Sequence, residues 1–347
     1  MPLHLGVCPY RLLFKHPFTT SHGMRDGTDS IFLRLEYNGK VGYGEVTLPP
    51  YLTEKPHDVL ELLHGAVVTG VKTIEGLAKL LDDQHFWAAH PGCRAGLQMA
   101  YMDVLGHMIQ SPVAHLIKAT QIKQPISLVT LGISRPEEVP MKLRELPQSG
   151  ALKLKMEGPR SIPMLRAVLE RDPRPVFIDA NQGFCSVREF LEISATAADR
   201  LLAMEQPFDM NDRELQTGAQ AAYEGCIYGD ESIQDLGDLE RAKGVFGGVN
   251  IKLMKCGGLD RAKQLADRAE ELGMRVMLGS MSESSLGCTA MAHLAGQADL
   301  IDLDGPWLLR NDPYRGVDLR NGKLVMPDGP GVGAVLAAPL QFSPVCA

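Results

Sequence analysis

Lysines and carboxylates recur along this sequence at a spacing that scattered surface charge does not produce. Short apolar runs end in Lys153 and Lys155, Asp179 and Asn181, Glu205, Asp230 and Glu231, Lys252, Ser280 and Glu283, and Asp302 and Asp304. Successive ends lie 22 to 28 residues apart, about one strand plus its return helix each time. Solvated charges would fall on helices and loops without regard to strand phase.

In the run Ala151 to Met156, a two-residue period turns Leu152, Leu154 and Met156 to one side and Lys153 and Lys155 to the other. Two crowded ammonium groups disfavour each other's charge, which predicts a lowered pKa for at least one and a base near neutrality. The competing reading is an edge strand with one wet face. Asp179, Glu205 and Asp230 end three consecutive strands, and such close carboxylates repel unless a hard dication lies among them; oxygen-only ligation suits one Mg²⁺. The alternative is that each acid caps the helix that follows it. Lys252 ends a strand across from Lys155, so an amine on either side can remove a proton and return it. Lys255 is the rival, past the apolar stretch and near Gly257-Gly258.

The elements that must position these groups are strands at 126–132, 151–156, 175–180, 201–205, 226–230, 248–253, 275–280 and 299–303, alternating with helix-length segments. That alternation predicts right-handed βαβ units and a parallel sheet, and eight strands invite closure into a barrel. The barrel segment, 123–314, is slightly short for eight full units, so one helix is expected to be short or missing. Upstream, residues 1–122 read as α+β: two strand-like runs flank Asn38-Gly39, a hairpin signal, and helices follow near 56–68, 73–84 and 94–110, the last with Met99, Met102, Leu105 and Ile109 on one face as core filler. A second hairpin signal, Asn321-Gly322, lies in a tail (315–347) expected to rejoin that first domain.

Composition narrows the function classes. With 347 residues, 45% hydrophobic, the chain can bury a large core and is not a disordered sequence, and no apolar run approaches the roughly 18 residues a membrane span needs. A net charge of −7 without a dense Lys/Arg block argues against nucleic acid as a partner. Seven cysteines without CxxC spacing, Cys346 included, read as reduced thiols, and no export signal is visible, so the expected location is the cytoplasm.

Taken together, these residues resemble the enolase superfamily and, within it, the muconate lactonizing enzyme subgroup. That subgroup is marked by Lys-x-Lys ending the second barrel strand, Asp, Glu and Asp ending the third to fifth, and Lys ending the sixth. Ala180-Asn181-Gln182-Gly183, Gln206-Pro207, Glu231-Ser232 and the run from Asn250 to Gly258 are typical, and the likeness covers the whole chain. It implies an α/β fold: a modified (β/α)7β TIM-type barrel under an α+β capping domain made by both termini. It also implies Mg²⁺ on Asp179, Glu205 and Asp230, a Lys153 that stabilises an enediolate, and Lys155 and Lys252 serving the two faces of the substrate. Asp302-x-Asp304 on the eighth strand is the pattern with which dipeptide epimerases hold the substrate ammonium; the alternative for these acids is bonding to backbone.

The resemblance thus points to inversion at the α-carbon of a dipeptide's C-terminal residue. N-acylamino acid racemase, o-succinylbenzoate synthase and cycloisomerase reactions are the alternatives within the subgroup; a Schiff-base aldolase and a non-catalytic binding protein are alternatives outside it. Specificity is expected from the cap loops at 19–26 and 48–52. Arg25 either meets an acidic substrate side chain or pairs with Asp26 or Asp29, and His22 is a further rim candidate. Thr130, Ser280, Met281 and Glu283 are expected to line the pocket, Glu283 facing a cationic substrate. A homo-oligomer is compatible with all of this.

Overall fold

The computed structural model describes residues 2–20 and 23–345. Ser21, His22 and Cys346 lie outside the described residues, as do the side chains of residues 18–20. Strands β1 (His4–Thr20), β2 (Gly23–Tyr37) and β3 (Lys40–Thr47) pair antiparallel. Asn38 and Gly39 make the β2–β3 turn with φ of 50° and 72°, the left-handed pair that matches strand twist. Asn321 and Gly322 repeat the device, joining Asp318–Arg320 to Lys323–Val325. The tail then returns to the first sheet, where Ser343–Pro344 pairs with β1 beside Gly6 and Val7.

Among the described residues five helices follow β3 before the barrel: α1 (Pro56–His64), α2 (Ala66–Thr69), α3 (Ile74–Asp82), α4 (Pro91–Ile109) and the one-turn α5 (Val113–Leu116). The helix expected over 56–68 is interrupted at Gly65, whose backbone is extended. The single apolar face expected of α4 is also corrected: Met99 is buried but Ile109 is 60% exposed, while every residue from Gly92 to Ala100 is buried. The reason is that the first half of α4 is wedged between β3 and the barrel, so all its sides meet protein. Glycines permit that approach; a Cβ on Gly44 would stand 2.0 Å from the Gly96 carbonyl oxygen.

The barrel is closed and parallel, with β4 (Ile126–Leu131), β5 (Ala151–Lys155), β6 (Val176–Asp179), β7 (Leu201–Glu205), β8 (Cys226–Gly229), β9 (Gly248–Ile251), β10 (Arg275–Gly279) and β11 (Leu300–Asp302) in sequential order. Its interior is plugged by Leu128, Ala151, Phe177, Ala203, Tyr228, Met277 and Leu300. Two residues further along the same strands come Thr130, Lys153, Asp179, Glu205, Asp230, Gly279 and Asp302, so the pleat delivers each polar group to the same mouth. Leu152, Leu154 and Met156 pack outward into the larger core, as their phase requires. Only a one-turn helix, Gly305–Leu308, follows β11, which accounts for the short barrel segment. Among the described residues no helix is long and apolar enough to cross a membrane.

Candidate active site

Register sets the first contacts. Lys155 lies beside Asp179, and Asp179 beside Glu205, on neighbouring strands. Lys153 Nζ is buried between three acids, 3.0 Å from Asp179, 2.7 Å from Glu205 and 2.7 Å from Asp302. Lys155 Nζ sits 2.5 Å from the same Asp179 oxygen that Lys153 approaches. On the far side, Lys252 and Lys255 take opposite oxygens of Asp230, each at 2.6 Å. Asn250 donates to Glu205 Oε1 at 2.7 Å, and Gln206 Oε1 accepts from Asp230 N–H at 3.0 Å.

Lys255 does not reach the pocket. Its ammonium is spent on Asp230 and on the carbonyls of Asp230, Ile233 and Asn250. Lys252 lines the cavity, as strand phase requires. The helix-capping reading of the acids fails as well: Ser186, Asp212 and Asp235 cap the helices after β6, β7 and β8.

Burial and charge act against each other here. Burial alone would lower the Lys153 pKa, but Asp179, Asp302 and Glu205 outweigh it and hold the ammonium well above its ordinary value. The expectation of a depressed pKa from Lys–Lys crowding is therefore corrected for Lys153; three carboxylates stand closer to it than any competing cation effect can offset. Burial likewise works to lower Lys252, and Asp230 and Glu205 raise it. Asp179 is held at about 2: burial opposes its charge, and Lys153 and Lys155 prevail. Burial, then Asp179, push Glu205 up to about 8.

Among the described residues no three acidic, His or Cys groups stand at metal-ligand spacing, because each acid turns to a lysine. The donor set nevertheless fits a hard cation. It is all oxygen and wholly buried, each acid is already held against a lysine ammonium, and Glu205 Oε2 accepts no well-aligned hydrogen bond although Lys153 Nζ is 2.7 Å away. A carboxyl whose proton is retained to about 8 is one that more positive charge would ionise.

One cavity gathers Arg25, Thr130, Lys153, Lys155, Lys252, Ser280, Met281, Asp302 and Asp304, together with Tyr51, Asn181 and Leu308. Glu283 is not on its wall; it is 2% exposed, accepts from Met281 N–H, and is pushed to about 8 by burial and by Glu45. Asp304 accepts from Thr130 N–H at 2.6 Å, so part of the backbone-bonding alternative holds for it, while Thr130 Oγ1 lies 3.4 Å from Asp302. Arg25 pairs with neither Asp26 nor Asp29, both of which are taken by Arg11. Its guanidinium instead lies over the Phe14 and Tyr51 rings, with a buried Nη1 that has no hydrogen-bond partner among the described residues.

Asn250, Phe14 and Leu308 were not singled out from sequence. Asn250 was findable, since it stands two residues before Lys252 in the inward phase; Phe14 and Leu308 arrive through tertiary packing alone.

The arrangement defines a class: a closed parallel barrel whose buried lysines and carboxylates line the C-terminal mouth of the strands. Residues 142–339, more than half of the chain, match the family model described as Enolase C-terminal domain-like, and the chain belongs to that family, in the enolase superfamily. It is 31% identical over 334 residues to the L-Ala-D/L-Glu epimerase of Bacteroides thetaiotaomicron, covering 94% of this chain and 86% of that one. Among solved structures it is similar to a substrate-liganded complex of the L-Ala-D/L-Glu epimerase from Bacillus subtilis, with TM-score 0.86 and 25% identity over 96% of this chain and 99% of that one. It is also similar to the dipeptide epimerase from Enterococcus faecalis V583 complexed with Mg and the dipeptide L-Leu-L-Tyr, with TM-score 0.84 and 27% identity over 96% and 99% of the two chains.

Proposed function

We propose that this protein is an isomerase that inverts the α-carbon of the C-terminal residue of a dipeptide by 1,1-proton transfer between two lysines. Its working parts are a barrel, 123–314, and a cap of residues 1–122 completed by 315–347. The observation that carries the reading is that Lys155 and Lys252 line one cavity, each tied to a different carboxylate. Asp179, Glu205 and Asp230 would hold one Mg²⁺, which when bound supplies positive charge against the anion that develops as the α-proton leaves.

The chain's own groups do the rest. Lys155 takes or returns the proton on one face and Lys252 on the other, the starting stereochemistry deciding which acts as base. Lys153, held protonated, keeps a fixed cation beside the reacting carboxylate. Asp302 and Asp304 receive the substrate ammonium, with Thr130 orienting both. Arg25, half-buried with a buried Nη1 that has no hydrogen-bond partner among the described residues, selects a carboxylate on the C-terminal side chain, which favours an acidic residue such as Glu. Ser280 and Met281 complete the wall.

The reading is tested by incubating the protein with Mg²⁺ and L-Ala-L-Glu in D₂O. Deuterium at the Glu α-carbon with accumulation of the D-epimer, both lost with EDTA, is the expected result; an L-Ala-L-Glu that stays protiated and unepimerised, while an N-acylamino acid exchanges, contradicts it.

A further inference from the structure

Tyr51 reaches the cavity from a loop whose two ends close on the same helix turn. Leu48 is buried at one end, and Glu54 is 6% exposed at the other. Glu54 Oε2 accepts from Gly92 N–H at 2.8 Å and Oε1 from Cys93 N–H at 3.1 Å, with His90 Nδ1 3.6 Å from Oε1. These amides open α4 and have no partner inside the helix, so the carboxylate meets free donors and the positive end of the helix dipole together. Glycine at 92 makes the fit. A Cβ there would stand 2.8 Å from Glu54 Oε2 and 2.9 Å from Leu48 Cδ2, displacing both ends of the loop.

The helix turn that receives the loop is itself fixed to the barrel. Arg94, 2% exposed, donates to Gly257 O at 2.5 Å and forks onto Asp260 at 2.9 and 2.7 Å. Within the loop, Leu52 N–H donates to Pro49 O at 3.0 Å, and Lys55 Nζ donates to the carbonyls of Pro50 and Leu52. Tyr51 therefore sits in the middle of a closed turn. From there its ring lies beside the Arg25 guanidinium, and its hydroxyl donates to Met281 Sδ at 3.5 Å. An unbroken run of contacts leads from the start of α4 to Arg25.

We propose that Glu54 is a positioning residue for specificity: by docking the 48–54 loop on α4 it holds Tyr51 against Arg25 and so sets the aim of the guanidinium at an acidic substrate side chain. The inference rests on the dipeptide reading and goes beyond it, because it places control of Arg25 in a carboxylate that is not on the cavity wall.

The test uses Glu54→Ala and Gly92→Ala in the full chain. Gly92→Ala leaves Glu54 in place and favours the helix, so a merely structural anchor predicts no loss from it. Backbone hydrogen exchange of the 48–58 segment should be roughly ten-fold faster in both variants. With Mg²⁺, KM for L-Ala-L-Glu should rise roughly five- to ten-fold at nearly unchanged kcat, and L-Ala-L-Gln should suffer less. In a Tyr51→Leu background, Glu54→Ala should add little to KM. Should Glu54→Ala fail to fold, Gly92→Ala decides alone. Parent-like exchange in Gly92→Ala, or faster exchange with KM unchanged, overturns the proposal while leaving the dipeptide reading intact. A parent protein that epimerises neither dipeptide overturns that reading and with it the specificity role, whereas the exchange data still decide whether Glu54 holds the loop.

Discussion

The Arg25 guanidinium carbon lies 5.6 Å from the centre of the Tyr51 ring, and the Phe14 ring stands 5.7 Å away from the same carbon. Two aromatic faces hold the cation in place, and neither neutralises it. Burial lowers its pKa from the ordinary arginine value. Among the described residues no acidic group pairs with it, which is what the proposed role in binding a substrate carboxylate requires.

Replacing Arg25 by Met should therefore act on substrate choice more than on chemistry. The kcat/KM for L-Ala-L-Glu is expected to fall on the order of 100-fold, the scale of losing one desolvated charge pair, while L-Ala-L-Gln loses much less. Equal losses for both would show that Arg25 does not meet the side chain.

Asp302 separates the dipeptide reading from N-acylamino acid racemisation. Asp302→Asn removes the charge proposed to receive the substrate ammonium, so kcat/KM on a dipeptide should drop by roughly 100-fold or more. An unchanged rate in this variant would favour substrates without an ammonium.

Glu45 reaches from the cap sheet to the loop after β10. It accepts from Ser284 N–H at 2.8 Å, Ser284 Oγ at 2.6 Å and Gly287 N–H at 2.9 Å, capping a barrel helix from another part of the chain. Glu45→Ala strands those buried donors and should cost about 2–4 kcal/mol in chemical denaturation. It should also raise KM, because Ser280 and Met281 sit on the loop it anchors. A loss under about 0.5 kcal/mol would contradict this role.

His293 gives the protein an acid-sensitive joint. Nε2 donates to Val332 O at 3.0 Å and Nδ1 accepts from Ala114 N–H at 3.2 Å, an arrangement that needs the neutral ring. Burial lowers its pKa from 6.5 to about 4. The unfolded chain therefore takes up the proton first as pH falls. Stability fully present above pH 6.5 is lost progressively toward pH 4, by up to about 3 kcal/mol. Urea midpoints at pH 7, 6 and 5 should fall more steeply in the parent than in His293→Gln; parallel slopes would remove His293 from the account.

The barrel and its mouth were readable because two periods coincide. Strand alternation placed Lys153 inward and Leu152 outward, and the repeat of one βα unit brought Lys155, Asp179 and Glu205 to the same height on adjacent strands. What the pattern could not carry was the balance of charge between strands. Crowding of Lys153 with Lys155 looked like a route to a neutral amine, yet the acids from β6, β7 and β11 close around Lys153 and keep it charged. Glu283 misled for a related reason: it follows the right strand but turns back on Met281 N–H, a local bond invisible to periodicity. Arg25 could not be assigned because its rivals, Asp26 and Asp29, were claimed by Arg11, a residue 15 and 18 positions upstream of them.

The most direct test of the two-lysine account uses Lys155→Ala and Lys252→Ala, each incubated with L-Ala-L-Glu and with L-Ala-D-Glu in D₂O. Each variant should lose epimerisation yet exchange the α-proton of one epimer only, the two variants choosing opposite epimers. Full epimerisation by either variant would contradict the account.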